Sequence, residues 1–319
     1  MNIIFETYFA VFAIFASLLI IEITGSVVLL IFWKQANSKV LEYIVPISEV
    51  TGTFAAFLVV MGIFAYPSLV VPIASIFASL LTVFLIFFVA RNASLAFAES
   101  IIKGKWLDKA KLYRIYAAST LVLGFTFLVL LSALVSGAGV NFSGGTFSLV
   151  AWVSSPGSLV FVLGTLLVGV GIAPVFFSLN SMTKIVLPLT GAGVDLSVLA
   201  YYLYSPSLVS SLMLIPAALI LLVSFLFAVS KKAAAIVSNR AVFISFLSVI
   251  IFSLQFLVYP SAIGGAIHVD AVTTSGPITF DYLSITAIGG AMLAIMLGFY
   301  MNIAMRSKNS KQEGANQVD

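Results

Sequence analysis

Three acids lie within long apolar runs of this 319-residue chain. They are Glu22 in Leu19-Ile20-Ile21-Glu22-Ile23-Thr24-Gly25, Glu49 in Pro46-Ile47-Ser48-Glu49-Val50-Thr51-Gly52-Thr53, and Asp195 after Pro188, Gly191 and Gly193. An ionisable side chain at membrane depth is expensive, a few kcal/mol on insertion scales, and such residues carry proton or ion traffic by default. Glu22 falls near the middle of its run. It reads either as a carboxyl buried for packing or as a proton relay or ion ligand. Glu49 follows Pro46 by three residues, about one turn inside its span, where it either snorkels to water or takes up protons. Asp195 is a candidate buried polar site. Pro and Gly around an acid mark an interrupted helix lining an ion site, or close helix packing. Glu42 lies nearer a span end, Glu99 and Asp108 lie in a basic loop, and His268 beside Asp270 reads as solvated.

Composition defines the medium. The chain is 62% hydrophobic and 8% charged, with a mean hydropathy of +1.21. A soluble domain carries nearer ~25% charged residues, so this is an integral membrane protein. Its basic residues are scattered over short loops, which argues against nucleic-acid binding. With no cysteine and one histidine, the chain has no disulfides, thiolate metal sites or iron–sulfur clusters and cannot supply a bis-histidine haem. The methionines Met292, Met296 and Met301 read as apolar filler. The N-terminus lacks the basic region of a cleavable signal, so the first span is expected to be retained.

Hydropathy predicts an all-α integral membrane fold of about nine transmembrane helices. The expected spans are 8–33, 43–66, 68–90, 114–136, 157–179, 185–204, 207–230, 241–266 and 282–305. They form one polytopic domain, 1–305, followed by a polar, disordered tail, 306–319. All 15 Lys and Arg residues then fall on one side. Under the positive-inside rule the N-terminus is outside and the C-terminus cytoplasmic. Outer loop 137–150 is Gly/Ser-rich and holds the glycosylation acceptor pattern Asn141-Phe142-Ser143. Inner segment 92–112 is long enough for a surface helix anchored by Trp106.

The order of landmarks resembles subunit II of the cytochrome bd quinol oxidases, the subunit without haem. The resemblance rests on Pro46-Ile47-Ser48-Glu49 at the start of the second span, Tyr66-Pro67 at its end, and Phe87-Phe88-Val89-Ala90-Arg91 closing the third. It continues with a basic inner loop containing Trp106, Ser155-Pro156-Gly157 opening the fifth span, and Tyr259-Pro260-Ser261 closing the eighth. A hydroxyl-rich loop, 271–279, precedes the last span. Glu22 with Thr24-Gly25 answers the family's Asp-Gly-x-Asp-like motif. Ile47-Ser48 stands where the family has His-Trp, and Arg91-Asn92 where it has Arg-Pro.

The resemblance implies two four-helix bundles plus a peripheral helix, multi-pass in the plasma membrane. It also implies pairing with a haem-bearing subunit I, in a complex that oxidises quinol and reduces oxygen to water. Glu49 and Glu22 match positions on the family's proton pathways. No cofactor is expected on this chain alone; the haems belong to the partner, and quinone, the quinol pool and lipid are its expected small-molecule contacts. Two other readings compete. One is a proton- or ion-coupled secondary transporter with Glu22, Glu49 and Asp195 as ligands. The other is a quinone-interacting membrane anchor of another respiratory complex.

Overall fold

A computed structural model describes residues 3–100, 108–204, 211–254, 261–262, 267–268 and 276–315. The chain is almost entirely helical, as its continuous apolar runs demand in a medium without water to satisfy free backbone groups. Among the described residues, seven helices are long and apolar enough to cross a membrane. An eighth span results if Lys231–Val237 and Arg240–Ser253, which meet at 71°, count as one. The chain is thus an all-α, multi-pass membrane protein.

Helix α1 (Ile3–Ile31) is the most buried span. It packs against α2 (Trp33–Ala65), α5 (Lys109–Ser136), α7 (Pro156–Phe176), α11 (Arg240–Ser253) and the last helix, α12 (Gly276–Ala315). Its middle is buried almost all round, from Phe15 to Ser26 with only Ile20 partly exposed. A helix apolar on every face belongs in such a position. At its N-terminal end the Tyr282 hydroxyl of α12 lies 3.0 Å from the Thr7 hydroxyl and donates to the Ile4 carbonyl at 3.1 Å. This pins the last span to the first.

Several ends follow local chemistry. Asp108 caps α5, its carboxylate accepting from the Lys111 N–H at 2.7 Å, and Gly137 closes that helix in the left-handed conformation at φ 73°. Loop 137–150 forms a two-residue ribbon, β1 (Val140–Asn141) against β2 (Thr146–Phe147), and then α6 (Leu149–Val153). In the tight turn of that ribbon the Asn141 side-chain carbonyl accepts from the Gly144 N–H at 3.0 Å.

Helices α7 and α8 (Thr183–Tyr204) form the closest pair. Gly157, Gly164 and Gly171 recur every seven residues on α7, and each lies against α8. A Cβ at Gly164 would meet the Ser197 N atom at 2.8 Å, and one at Gly171 would meet the Thr190 N atom at 2.6 Å. Gly193 returns the contact: a Cβ there would meet the Val168 N atom at 2.5 Å. Small residues let two backbones approach where lipid offers no hydrophobic drive to associate. The turn between the helices holds Ser178 at φ 53°.

Several expectations require correction. The third span is not 68–90. Pro67 starts a separate helix, α3 (Pro67–Ile76), which ends at the buried Phe77, and the spanning helix is α4 (Ala78–Ser100). Segment 92–112 is not a separate surface helix either, since α4 continues to Ser100 and α5 begins at Lys109; Trp106 lies outside the described residues. The tail, expected to be disordered from 306, continues α12 as helix to Ala315. The seventh span is described as α9 over Ser211–Val229, and the eighth is shorter than expected, with α11 ending at Ser253 after the short α10 (Lys231–Val237). The side chain of His268, and Asp270, lie outside the described residues.

Candidate functional site

Glu22 is fully buried and meets a cation. Shifting the third span to 78–100 draws Arg91 into the helix interior, where it is 1% exposed and ion-paired with Glu22. Arg91 Nε donates to Glu22 Oε1 at 2.6 Å. Its Nη2 pairs with the same oxygen and donates to the Ser48 carbonyl of α2 at 3.2 Å. Its Nη1 donates to Asn92 Oδ1 at 3.0 Å. The Tyr116 hydroxyl of α5 donates to Glu22 Oε1 as well. Phe88 and Tyr116 present ring faces to the guanidinium, with centroids 5.6 and 5.9 Å away. This is the environment that suits a weakly hydrated, planar cation.

The depths of these residues agree. Glu22 stands nine residues before the end of α1 and Arg91 nine before Ser100, the last described residue of α4; Tyr116 stands seven after the start of α5. At 1.5 Å per residue that is about 10–14 Å in from the helix ends. One polar cluster thus ties four helices together through two side-chain charges that cancel. Two atoms of the cluster's surroundings have no hydrogen-bond partner among the described residues: Glu22 Oε2 and, one turn further along α1, the buried Ser26 Oγ. A carboxylate with one oxygen bound and one free keeps a site for a proton or a water.

Glu49 is placed differently from its expectation. The helix does not begin at residue 43 but at Trp33, running through Pro46, so Glu49 is sixteen residues from either end of α2. Within the apolar span Ser38–Ala65 it lies eleven residues from the first end, about three turns inside and not one. Its side chain is exposed, while the neighbouring Ser48 is buried and lends its carbonyl to Arg91. Successive residues of a helix point about 100° apart, so a single turn of α2 serves Arg91 on one side and presents Glu49 on the other. The outward stripe continues through Thr53, Ala56, Val60 and Phe64.

Asp195 is not a buried polar site. It stands twelve residues after Thr183 and nine before Tyr204, on the exposed face of an unbroken α8. Pro188 does not interrupt the helix, and the neighbouring Gly193 serves packing against α7. Neither the Glu49 nor the Asp195 carboxylate has an ion-pair or hydrogen-bond partner among the described residues. Set inside their spans, each costs up to about 3 kcal/mol in lipid unless something meets it.

The structure therefore does not bring the three acids to one place. Glu22 faces into the bundle, and Glu49 and Asp195 face out of it on separate spans. Two members of the buried cluster were not marked as site residues by sequence. Arg91 ended an apolar run and read as a boundary. Its signal was the apolar pattern resuming beyond it, at Ala93, Leu95, Ala96, Phe97 and Ala98. Tyr116 carried no signal beyond its residue type. Among the described residues, no three His, Cys, Asp or Glu side chains gather as a metal site would require. Compared with known proteins, the chain matches no family model and no curated protein.

Proposed function

We propose that this chain is the haem-free subunit II of a cytochrome bd-like quinol oxidase in the plasma membrane. In this reading it holds two four-helix bundles and a peripheral helix, with its N-terminus outside and its C-terminus cytoplasmic. It scaffolds a haem-bearing subunit I and carries part of a proton route from the cytoplasmic side. The haems are the partner's, since this chain has one histidine and no cysteine.

The observation that carries the reading is Glu49, exposed about three turns inside a membrane-spanning helix and unpartnered among the described residues. A carboxylate so placed is a residue for a subunit interface: a partner chain covers it and receives its proton. The same turn of α2 touches Arg91 through the Ser48 carbonyl, so the route has a second station. There Glu22 is held by Arg91 and Tyr116 on one oxygen and free on the other. A self-sufficient transporter is less well supported, because its coupling ion would need Glu22, Glu49 and Asp195 around one cavity.

Purification in mild detergent from native membranes tests the reading. The expected product is a complex with a second hydrophobic chain and the optical spectrum of b- and d-type haems. A colourless, single-chain species overturns it, and a partner bearing iron–sulfur or molybdenum centres replaces it with the membrane-anchor reading.

A further inference from the structure

The α8 face bearing Asp195 is not used by that function. Lys184, Pro188, Ala192, Asp195, Leu199 and Tyr202, all exposed, recur every three or four positions and so line one side of the helix. The opposite side is held against α7 by Gly157, Gly164 and Gly171, which makes α8 a firm platform. Toward its N-terminal end the outward stripe is low, with Pro188 and Ala192, and admits another helix closely. At its centre stands one acid, about 18 Å from Thr183 along the helix axis.

The chain's own answer to an acid at this depth is Arg91 on Glu22, and that cation is already taken. Lys184 is eleven residues away on the same helix, about 16 Å, and lies at the helix start. No Lys or Arg pairs with Asp195 among the described residues, so charge complementarity points outside the chain. A lipid headgroup lies too far toward the surface to reach mid-span, and a second copy of this face would set Asp195 against Asp195.

We propose that the outer face of α8 docks a transmembrane helix of another protein, one that carries a Lys or Arg side chain to the depth of Asp195. Pro188 and Ala192 form the close-contact half of the seat, and Leu199 and Tyr202 form its bulkier rim. The proposal does not rest on the oxidase reading, because Glu49 is on α2 whereas α8 packs on α7 and α9. It stands or falls whether or not a haem-bearing chain co-purifies.

The absence of cysteine makes the test direct. Leu199→Cys in the full-length chain, in native membranes, gives a single attachment point for a thiol-linked photo-crosslinker on the exposed face. The expected adduct is with a protein whose apolar segment contains a Lys or Arg. Its yield should fall about ten-fold or more in Asp195→Asn and persist in Asp195→Glu, as loss of one partner of a buried charge pair dictates. Ala192→Phe, which leaves every charge in place, should reduce it comparably and covers the case in which Asp195→Asn fails to insert. Adducts with lipid alone, adducts of two copies of this chain, a protein partner without a basic residue in its apolar segment, or an unchanged yield from Asp195→Asn would each overturn the proposal.

Discussion

Replacing Glu22 by Gln leaves Arg91 in place, 1% exposed, with its main counter-charge gone. The Ser48 carbonyl and the Asn92 side chain still accept from the guanidinium, but neither carries charge. Removing one member of a buried pair destabilises by about 3–5 kcal/mol, because the other charge remains buried and uncompensated. Arg91→Met should cost a similar amount, since it strands the Glu22 carboxylate beside one tyrosine hydroxyl. The double variant Glu22→Gln/Arg91→Met removes both charges and leaves only uncharged amide and hydroxyl groups to be satisfied, a penalty of about 1–3 kcal/mol. The double variant should therefore be more stable than either single one, with a coupling energy of roughly 3–9 kcal/mol. Equilibrium unfolding in mixed micelles, followed by tryptophan fluorescence, measures all four corners of the cycle. Additive single effects, or single variants within about 1 kcal/mol of the parent, would refute the view that these charges hold each other in the bundle.

Other expectations concern separate parts of the molecule. Glu49→Gln keeps size and hydrogen bonding but cannot carry a proton, so the assembled complex should form normally and turn over more slowly; wild-type turnover removes Glu49 from the route. Gly164→Ala pushes a methyl against the Ser197 backbone of α8 and should destabilise by about 1–3 kcal/mol. Gly191→Ala, with open space at that position, should be neutral or stabilise by up to ~1 kcal/mol; comparing thermal unfolding of the two in detergent separates close packing from helix propensity. Ser132→Ala orphans the buried Trp152 indole N–H, which donates to the Ser132 hydroxyl at 2.6 Å, and should cost about 1–3 kcal/mol in the same assay. Asn239→Ala removes the side-chain acceptor for the Ala241 and Val242 N–H groups at the start of α11 and should cost about 0.5–2 kcal/mol.

The membrane class and most spans were legible because about 20 apolar residues have few other uses. The acids were legible for the same reason, as interruptions. What hydropathy cannot see is the azimuth of a residue around its helix. Glu22 and Glu49 look alike in one dimension, yet one points into the core and the other away from it. Arg91 was assigned to an inner loop because a cation ending an apolar run fits the positive-inside rule. The two prolines at 67 and 72 with the break at Phe77 move the span about ten residues along and carry Arg91 inside it. The seven-residue spacing of Gly157, Gly164 and Gly171 was present in the sequence. It becomes readable as a contact only once α8 is known to run back alongside α7.

The pairing of Glu22 with Arg91 also sets a schedule for synthesis. The two residues are 69 positions apart, and Arg91 is the later one to leave the ribosome. At roughly 5–20 residues per second, α1 waits about 3–14 s for its counter-ion. During that interval α1 must reside in the bilayer, or at the insertion machinery, with a carboxyl that has no cation to meet. Its long Leu, Ile and Phe run lets it enter regardless, whereas α4 enters with a guanidinium that already has an acceptor waiting. The first four spanning elements are thus expected to mature as one cohort, and a chain truncated between α2 and α4 should be held and degraded rather than released into the membrane.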